Sequence, residues 1–596
     1  MINIEPIILA ANGSNRADTL FINGQIINVF TGEILNMSVA VKDGYICGLS
    51  TKSDEYDADN IVDLNGLYLA PGFIDPHLHI ESSMVTPAQF ARGVVPCGTT
   101  TIVADPHEIA NVMGIKGIEY MIKSAQEAGD IMNILFTAPS CVPATDMERA
   151  GAVIDSNMVQ SLLSHDKIVG LAEMMNYPGV IFTDPEVMAK IKAAKMAKKQ
   201  VDGHAPKITG KELNAYASAG IKSDHECTTF NEAIEKLRLG IHIMVREGSC
   251  AKNLDALLPI INDKTWNQMM WCTDDRHPEE ILSEGHIDHI VRRAIDYGID
   301  PIRAIQIATI NPARYFKIDD FGAIAPSYRA DMVAFRDIKN PVIEKVFVKG
   351  ALVAQDREIC NKIECKPQSY DLPNTMNFDL DSVDFSIPIA QKLNSSEHQK
   401  DTIVRVIKII PNQVVTEELR ESVLKSESDK AEDGSIYALS DTKRDILKIA
   451  VIERYSGKTG MARGFVNGFG FKKGAIASTV AHDSHNVIVA GVDDNDMLCA
   501  VKALKEMGGG FVVASGGNIM ARLALPVGGL MSNEPLESVN LSMVKVIEAV
   551  KALGSSKLSD PFMTLGFLAL PVIPQLKITD MGLVDVQKFK IVELFL

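Results

Sequence analysis

Residues 70–84 read APGFIDPHLHIESSM and set His77, His79 and Glu81 two residues apart. In a β-strand, side chains at i, i+2 and i+4 share one face. Imidazoles gathered that way are either hydrogen-bonded core residues or metal ligands. Further polar residues close later apolar runs: His107 in DPHE, Glu173 in GLAEMMN, His204 in DGHAP, His225 in SDHEC and Asp274 in CTDD. Any one of them alone reads as a hydrogen-bonded structural residue. Gathered together and buried, they would be costly to desolvate without compensating cations. A pair of divalent cations accounts for the whole set.

The spacing suggests a division of labour. His77 and His79 grip one metal with Asp274, His204 and His225 grip a second, and Glu173 bridges both. Metals roughly 3.5–4 Å apart would bring the pKa of a shared water toward neutrality, giving a hydroxide nucleophile for an electrophilic carbon. Asp274 would take the proton of that water and pass it to the leaving group.

These residues need a frame that brings strand ends together. Eight short apolar runs end in polar residues: LYLAPGFIDPHLHIE, TTTIVADPHE, NILFTAPSCV, IVGLAEMMN, QVDGHAP, IKSDHEC, IHIMVREGS and MMWCTDD. Helix candidates such as DPEVMAKIKAAKMAKK and FNEAIEKLRLG separate them. This alternation predicts an α/β fold, a TIM-like (β/α)8 barrel over residues 68–316, with its chemistry at the C-terminal strand ends. Residues 1–67 alternate like strands with NG, TGE and KDG turns, and a related pattern returns over 317–365. Both flanks are therefore expected to build one small β-rich domain. Residues 366–401 are polar and weakly periodic and read as a linker. The expected C-terminal domain, 402–596, is α+β.

Composition narrows the function. The chain has 596 residues, 46% hydrophobic and 23% charged, which implies several globular domains. Asp plus Glu number 76 against 59 Lys plus Arg, a net charge of −17 that argues against nucleic acid as a partner. No apolar run reaches the ~18 residues that span a membrane. The start, MINIEPIILAANGSNR, has no basic region like that of a signal peptide. Nine scattered cysteines without a CxxC pair read as free thiols, so a cytoplasmic protein is expected.

GFIDPHLHIES, the histidines of DGHAP and SDHEC, Asp274, ATINPARYF and GAIAPSYRADMVAF resemble the amidohydrolase superfamily. Within it, PGFIDPHLHIESSM, GTTTIVADPHEIANVMG, GLAEMMNYPGV and GFGFKKGAIASTVAHDSHNVIVAG resemble the bacterial adenine deaminases over nearly the whole chain. The resemblance implies hydrolysis of adenine to hypoxanthine and ammonia at a binuclear Mn or Fe centre, with Zn as the alternative, in a homo-oligomer. It also implies that His107 lies near the substrate and the metal-bound water without being a ligand. Glu81, Ser82, Ser83, Arg246 and Glu247 are candidates to line the purine pocket; for each, a structural ion pair or cap is the competing reading.

The rival readings are a cyclic amidase on the same barrel and a non-catalytic scaffold. Superfamily members that open cyclic amides bridge their metals with a carboxylated lysine on strand four. Here KIVGLAEMMN puts Glu173 at the expected strand end, and its only lysine, Lys167, stands at the start. The scaffold reading is opposed by a complete ligand set. Zinc base deaminases carry H-x-E and later P-C-x-x-C. His79-Ile80-Glu81 fits the first half, but Pro96-Cys97 is followed by Thr100 where cysteine is needed. AHDSHN, with His482, Asp483 and His485, reads as a polar turn between GAIASTVA and NVIVAGV; the alternative is a second metal site or a contribution to an active site.

Overall fold

Continuous β-branched and apolar runs suit strands buried on both faces, as parallel strands usually are. The computed structural model forms such strands as β1 (Phe73–Leu78), β2 (Thr99–Ala104), β3 (Asn133–Ala138), β4 (Ile168–Met174), β5 (Gln200–Gly203), β6 (Ser223–Asp224), β7 (His242–Arg246) and β8 (Met269–Cys272). The structure describes residues 3–52, 54–129, 131–249, 251–360, 370–389, 402–411, 413–426, 436–554 and 558–596. Strands β1 to β3 and β8 are buried throughout, and β4 is buried at every position but Val169.

Two compact units divide the chain. Unit 1 comprises Met1–Pro106, Tyr120–Ser140 and Asp155–Gln368; unit 2 comprises His107–Glu119, Cys141–Ile154 and Ser369–Leu596. In unit 1, β5-β4-β3-β2-β1 and β6-β7-β8 form two parallel sheets. The Lys222 N–H donates to the Val201 carbonyl at 3.1 Å, beside the β5–β6 seam. The Asp274 N–H donates to the His77 carbonyl at 3.1 Å, beside the β8–β1 seam. This curled parallel sheet is TIM-like, and its strand order puts the C-terminal ends on one side.

A third sheet of unit 1 draws on both flanks of these strands. Tyr68–Pro71 pairs antiparallel with Met332–Phe335, Met332 opposite Pro71, and parallel with Ala17–Asn28. Its core includes Phe21, Leu69, Met332 and Phe347, with the Phe21 and Phe347 rings edge to face at 4.9 Å.

Unit 2 has an eight-stranded sheet whose middle is Met461–Asn467, Ile446–Ile452, Val487–Gly491 and Ala475–Ser478. Helix Asp494–Met507 packs on it, started by the Asp493 carboxylate accepting from the Asp496 N–H and ended by Gly508 at φ 80°. The linker expectation for 366–401 is corrected in its described part. Met376, Phe378 and Phe385 are buried in the core of unit 2 with Ile452, Val489 and Leu504. Few apolar residues in a polar stretch hide this anchoring. Residues 366–369 and 390–401 lie outside the described residues. Among the described residues, no helix is long and apolar enough to cross a membrane.

Candidate active site

The C-terminal ends of β1, β4, β5, β6 and β8 deliver their polar residues to one buried cluster. His77 is the fifth residue of β1, and His79 follows the strand's end. Their rings meet edge to face at 5.1 Å, and His77 stacks on His225, from just beyond β6, at 4.0 Å. Rings from β1 and β6 thus meet although the two strands are not sheet neighbours. His204 follows Gly203, where an added Cβ would lie 2.2 Å from the Ser223 carbonyl oxygen. Only glycine lets β5 and β6 approach this closely, and that approach sets the 5.3 Å separation of the His204 and His225 rings.

Glu173 occupies the middle. Its Oε1 lies 3.5 Å from His79 Nε2; its Oε2 lies 2.5 Å from His204 Nδ1 and 3.2 Å from His225 Nε2. Asp274 turns Oδ1 toward His79 Nε2 at 3.3 Å and His77 Nε2 at 3.6 Å, and its Oδ2 accepts from Arg246 at 2.7 Å. Arg246 also donates to Glu226.

Burial alone would raise both carboxylates. The His204 and His225 imidazoles outweigh it for Glu173, and Arg246 with His77 and His79 does so for Asp274, so both are held well below the usual carboxylate range. Burial pulls His204 down, but Glu226 and Glu173 carry it up to about 9. Burial and the facing His225 hold His77 below the usual histidine range.

The donor set fits divalent cations. His77 Nε2 is buried and makes no hydrogen bond. His79 Nδ1–H donates to the Asp105 carbonyl at 3.1 Å, which leaves the Nε2 lone pair facing Glu173 and Asp274. Donor atoms of His77, His79 and Asp274 lie within 4.8 Å of one another, as do those of His77, Glu173 and His225. Three imidazole nitrogens, the unpaired His77 Nε2 among them, and two carboxylates make a divalent metal site; bringing a cation to His204 would release its proton.

The remaining expectations divide. Ser82 donates to Asp275, and Ser83 donates to the Ile80 carbonyl at 2.5 Å. Glu81 is buried in the turn Ile80–Ser83. Arg246 reaches the cluster, whereas Glu247 is not brought to it. The Glu247 carboxylate accepts from the Leu254 N–H at 3.2 Å and pairs with Arg293 at 3.2 Å. Arg246 ends β7 and Glu247 follows it, and adjacent residues of an extended chain face opposite ways, which separates these two. His107 opens helix His107–Met113 of unit 2, with Nε2 3.6 Å from Glu108 Oε1.

Glu226 belongs to the cluster and was not expected. Its Oε1 lies 3.5 Å from His225 Nε2 and 3.9 Å from His204 Nδ1. The signal was the acidic residue directly after His225 in SDHEC.

A buried ion network holds the β5 and β6 ends. Asp224 accepts from the Ala205 and Glu226 N–H groups at 3.0 and 2.8 Å. Lys236, with no exposed surface, lies 3.2 Å from Asp224 and 2.9 Å from Glu232, and donates to the Ala205 carbonyl at 2.8 Å. Lys236→Ala strands two buried carboxylates and is expected to cost about 3–5 kcal/mol in denaturant unfolding. A loss below ~1 kcal/mol would show that the network is not needed.

The amidohydrolase family model matches residues 68–353, and the adenine deaminase C-terminal domain model matches residues 413–590. The chain is 49% identical to an adenine deaminase of Desulfatibacillum aliphaticivorans, over 99% of each chain. It is 46% identical to the adenine deaminase of Methanothrix thermoacetophila over 100% of each, and 45% identical to adenine deaminase 2 of Carboxydothermus hydrogenoformans over 99% of each. The fold and site define an amidohydrolase-family hydrolase with a TIM-like domain. Within that class, the chain belongs to the adenine deaminase family.

Proposed function

We propose that this protein hydrolyses adenine to hypoxanthine and ammonia. The observation that carries the reading is Glu173, a carboxylate at the end of β4 that directs one oxygen to His79 and the other to His204 and His225. A ring hydrolase of the carboxylated-lysine kind would need a lysine there, and Lys167 precedes the start of β4.

In this reading His77, His79 and Asp274 would hold one divalent cation, His204 and His225 would hold a second, and Glu173 would contribute to both. When bound, such a pair supplies Lewis acidity and an activated water at neutral pH; Mn or Fe is the expected metal, with Zn the alternative. The rest falls to the side chains. Asp274 is ionised, so it can accept a proton. Arg246 holds Oδ2 and leaves Oδ1 toward the reacting atoms. Water oxygen bonds to the amino-bearing ring carbon, the exocyclic C–N bond breaks, and the departing nitrogen leaves as ammonia. Its proton, and the one needed earlier on the ring nitrogen, are carried by Asp274, because amide ion cannot leave into water. His107 steadies the attacking water. Glu81, Ser82 and Arg246 contribute to the purine pocket.

The frame proposed for this chemistry is a closed (β/α)8 barrel over residues 68–316, a small β domain from 1–67 and 317–365, and a C-terminal α+β domain. The test is ammonia release from adenine, beside ring opening of hydantoin to its carbamoyl acid, with Mn added and metal analysis alongside. Adenine turnover without hydantoin turnover, unaffected by removing bicarbonate, is expected. Turnover of hydantoin alone, or activity that needs bicarbonate, would overturn the reading.

A further inference from the structure

Unit 2 contains a second buried group of ionisable residues that the chemistry above does not use. Glu108 lies in helix His107–Met113, and its partners come from the AHDSHN loop between strands Ala475–Ser478 and Val487–Gly491. His482 Nδ1 is 2.8 Å from Glu108 Oε1, and His485 Nε2 bonds to Glu108 Oε2. All three residues are at most 5% exposed. Burial alone would raise Glu108. His482, His485 and His107 outweigh it and hold the carboxylate well below its usual range, so Glu108 is an anion.

Two imidazoles and a carboxylate resemble a metal site, but one contact argues against it. The Ala481 N–H donates to His485 Nδ1 at 3.1 Å. A nitrogen that accepts a backbone N–H carries its lone pair, so in the neutral ring the proton sits on Nε2. Burial pushes His485 down to about 4, which keeps the ring neutral. Nε2–H therefore donates to Glu108 and has no lone pair for a cation. The group is a carboxylate receiving two imidazole protons.

The loop that presents these imidazoles is firmly built. The His485 N–H donates to the Ala481 carbonyl at 2.7 Å, and Arg454 Nε donates to the His485 carbonyl at 2.5 Å. Asn486 donates to the Arg149 carbonyl at 2.7 Å, and the His482 ring stacks on Phe567 at 4.7 Å. Glu108 Oε1, fixed by His482, faces His107 Nε2 at 3.6 Å. His107 in turn is three residues beyond the end of β2 along the chain.

We propose that Glu108, clamped between His482 and His485, is a positioning residue for His107. The proposal rests on the reading that His107 acts on the reacting water. An anion fixed beside an imidazole orients its ring and chooses which nitrogen carries the proton, which is the service a carboxylate gives a catalytic histidine elsewhere.

The test is a double-mutant cycle on the full chain, reading kcat and KM for adenine together with metal content. Glu108→Gln is expected to lower kcat about tenfold or more, with KM within about twofold and metal content intact. In a His107→Asn background the same change should cost almost nothing further, because the group it positions is already gone. His485→Gln, whose amide still donates at the Nε2 position, should lose less than His485→Ala, and this pair serves if Glu108→Gln folds poorly. An equal kcat loss in both backgrounds would mean a merely structural cluster and would overturn the proposal alone. Loss of metal on His485→Ala would overturn it in favour of a metal site. Wild-type kcat in His107→Asn itself would remove the reading of His107, and the proposal with it.

Discussion

Replacing Glu173 by Gln is expected to strip the protein of metal and turnover together. The change is nearly isosteric, so packing is preserved. It neutralises a carboxylate whose two oxygens face different imidazoles, His79 on one side and His204 with His225 on the other. An amide offers one acceptor oxygen, and its nitrogen is a donor that cannot ligate a cation. No single rotamer of Gln satisfies both sides. Metal analysis of the purified variant beside an ammonia-release assay reads both losses. A metal-replete, fully active Glu173→Gln protein would remove Glu173 from the metal-holding set.

Asp274→Asn is expected to lower kcat by about 10²-fold or more, the range for lost general acid–base catalysis. Asp275→Asn should do much less to the chemical step. The two neighbours have different surroundings. Asp274 faces His77, His79 and Arg246, whereas Asp275 is half-buried and accepts a hydrogen bond from the Ser82 hydroxyl. Asp274 also hydrogen-bonds through its backbone to β1: its N–H donates to the His77 carbonyl, and its carbonyl accepts from the His79 N–H at 3.3 Å. That tie fixes which carboxylate points into the cluster. Steady-state kinetics with metal content checked for each variant decides the matter; the reverse ranking would sink the assignment.

The cluster was legible from sequence where each residue closes an apolar run. Such a run becomes a buried strand, and its last polar residue has nowhere to go but the strand end. His77, His79, Glu173, His204, His225 and Asp274 all obey this, and the structure brings them together. Glu226 was missed because it follows a histidine already assigned, and chain neighbours usually diverge; here the turn after β6 lets both reach His204. Glu247 went the other way, since Arg293 and the Leu254 N–H claim its carboxylate. Met376, Phe378 and Phe385 were hidden in a polar stretch because an anchoring segment needs only a few side chains and shows no period. Glu108 was the hardest to read. Nothing near it in sequence marks it as the partner of His482 and His485.

Glu108 and His482 are 374 positions apart in the chain. At typical synthesis rates of ~5–20 residues per second, the ribosome needs roughly 20–75 s to supply the second after making the first. During that interval residues 107–119 and 141–154 must wait for the sheet of unit 2, with Ile109, Val112 and the Glu108 carboxylate still without the surroundings that later bury them. Assembly of unit 2 is therefore a late, non-local event, slow in the way that distant contacts are slow. A nascent chain cut short before residue 482 would leave these two insertions unpartnered and prone to association. The same interlacing means that the C-terminal segment is not a detachable module: expressed from residue 369 onward, it would lack two pieces of its own core.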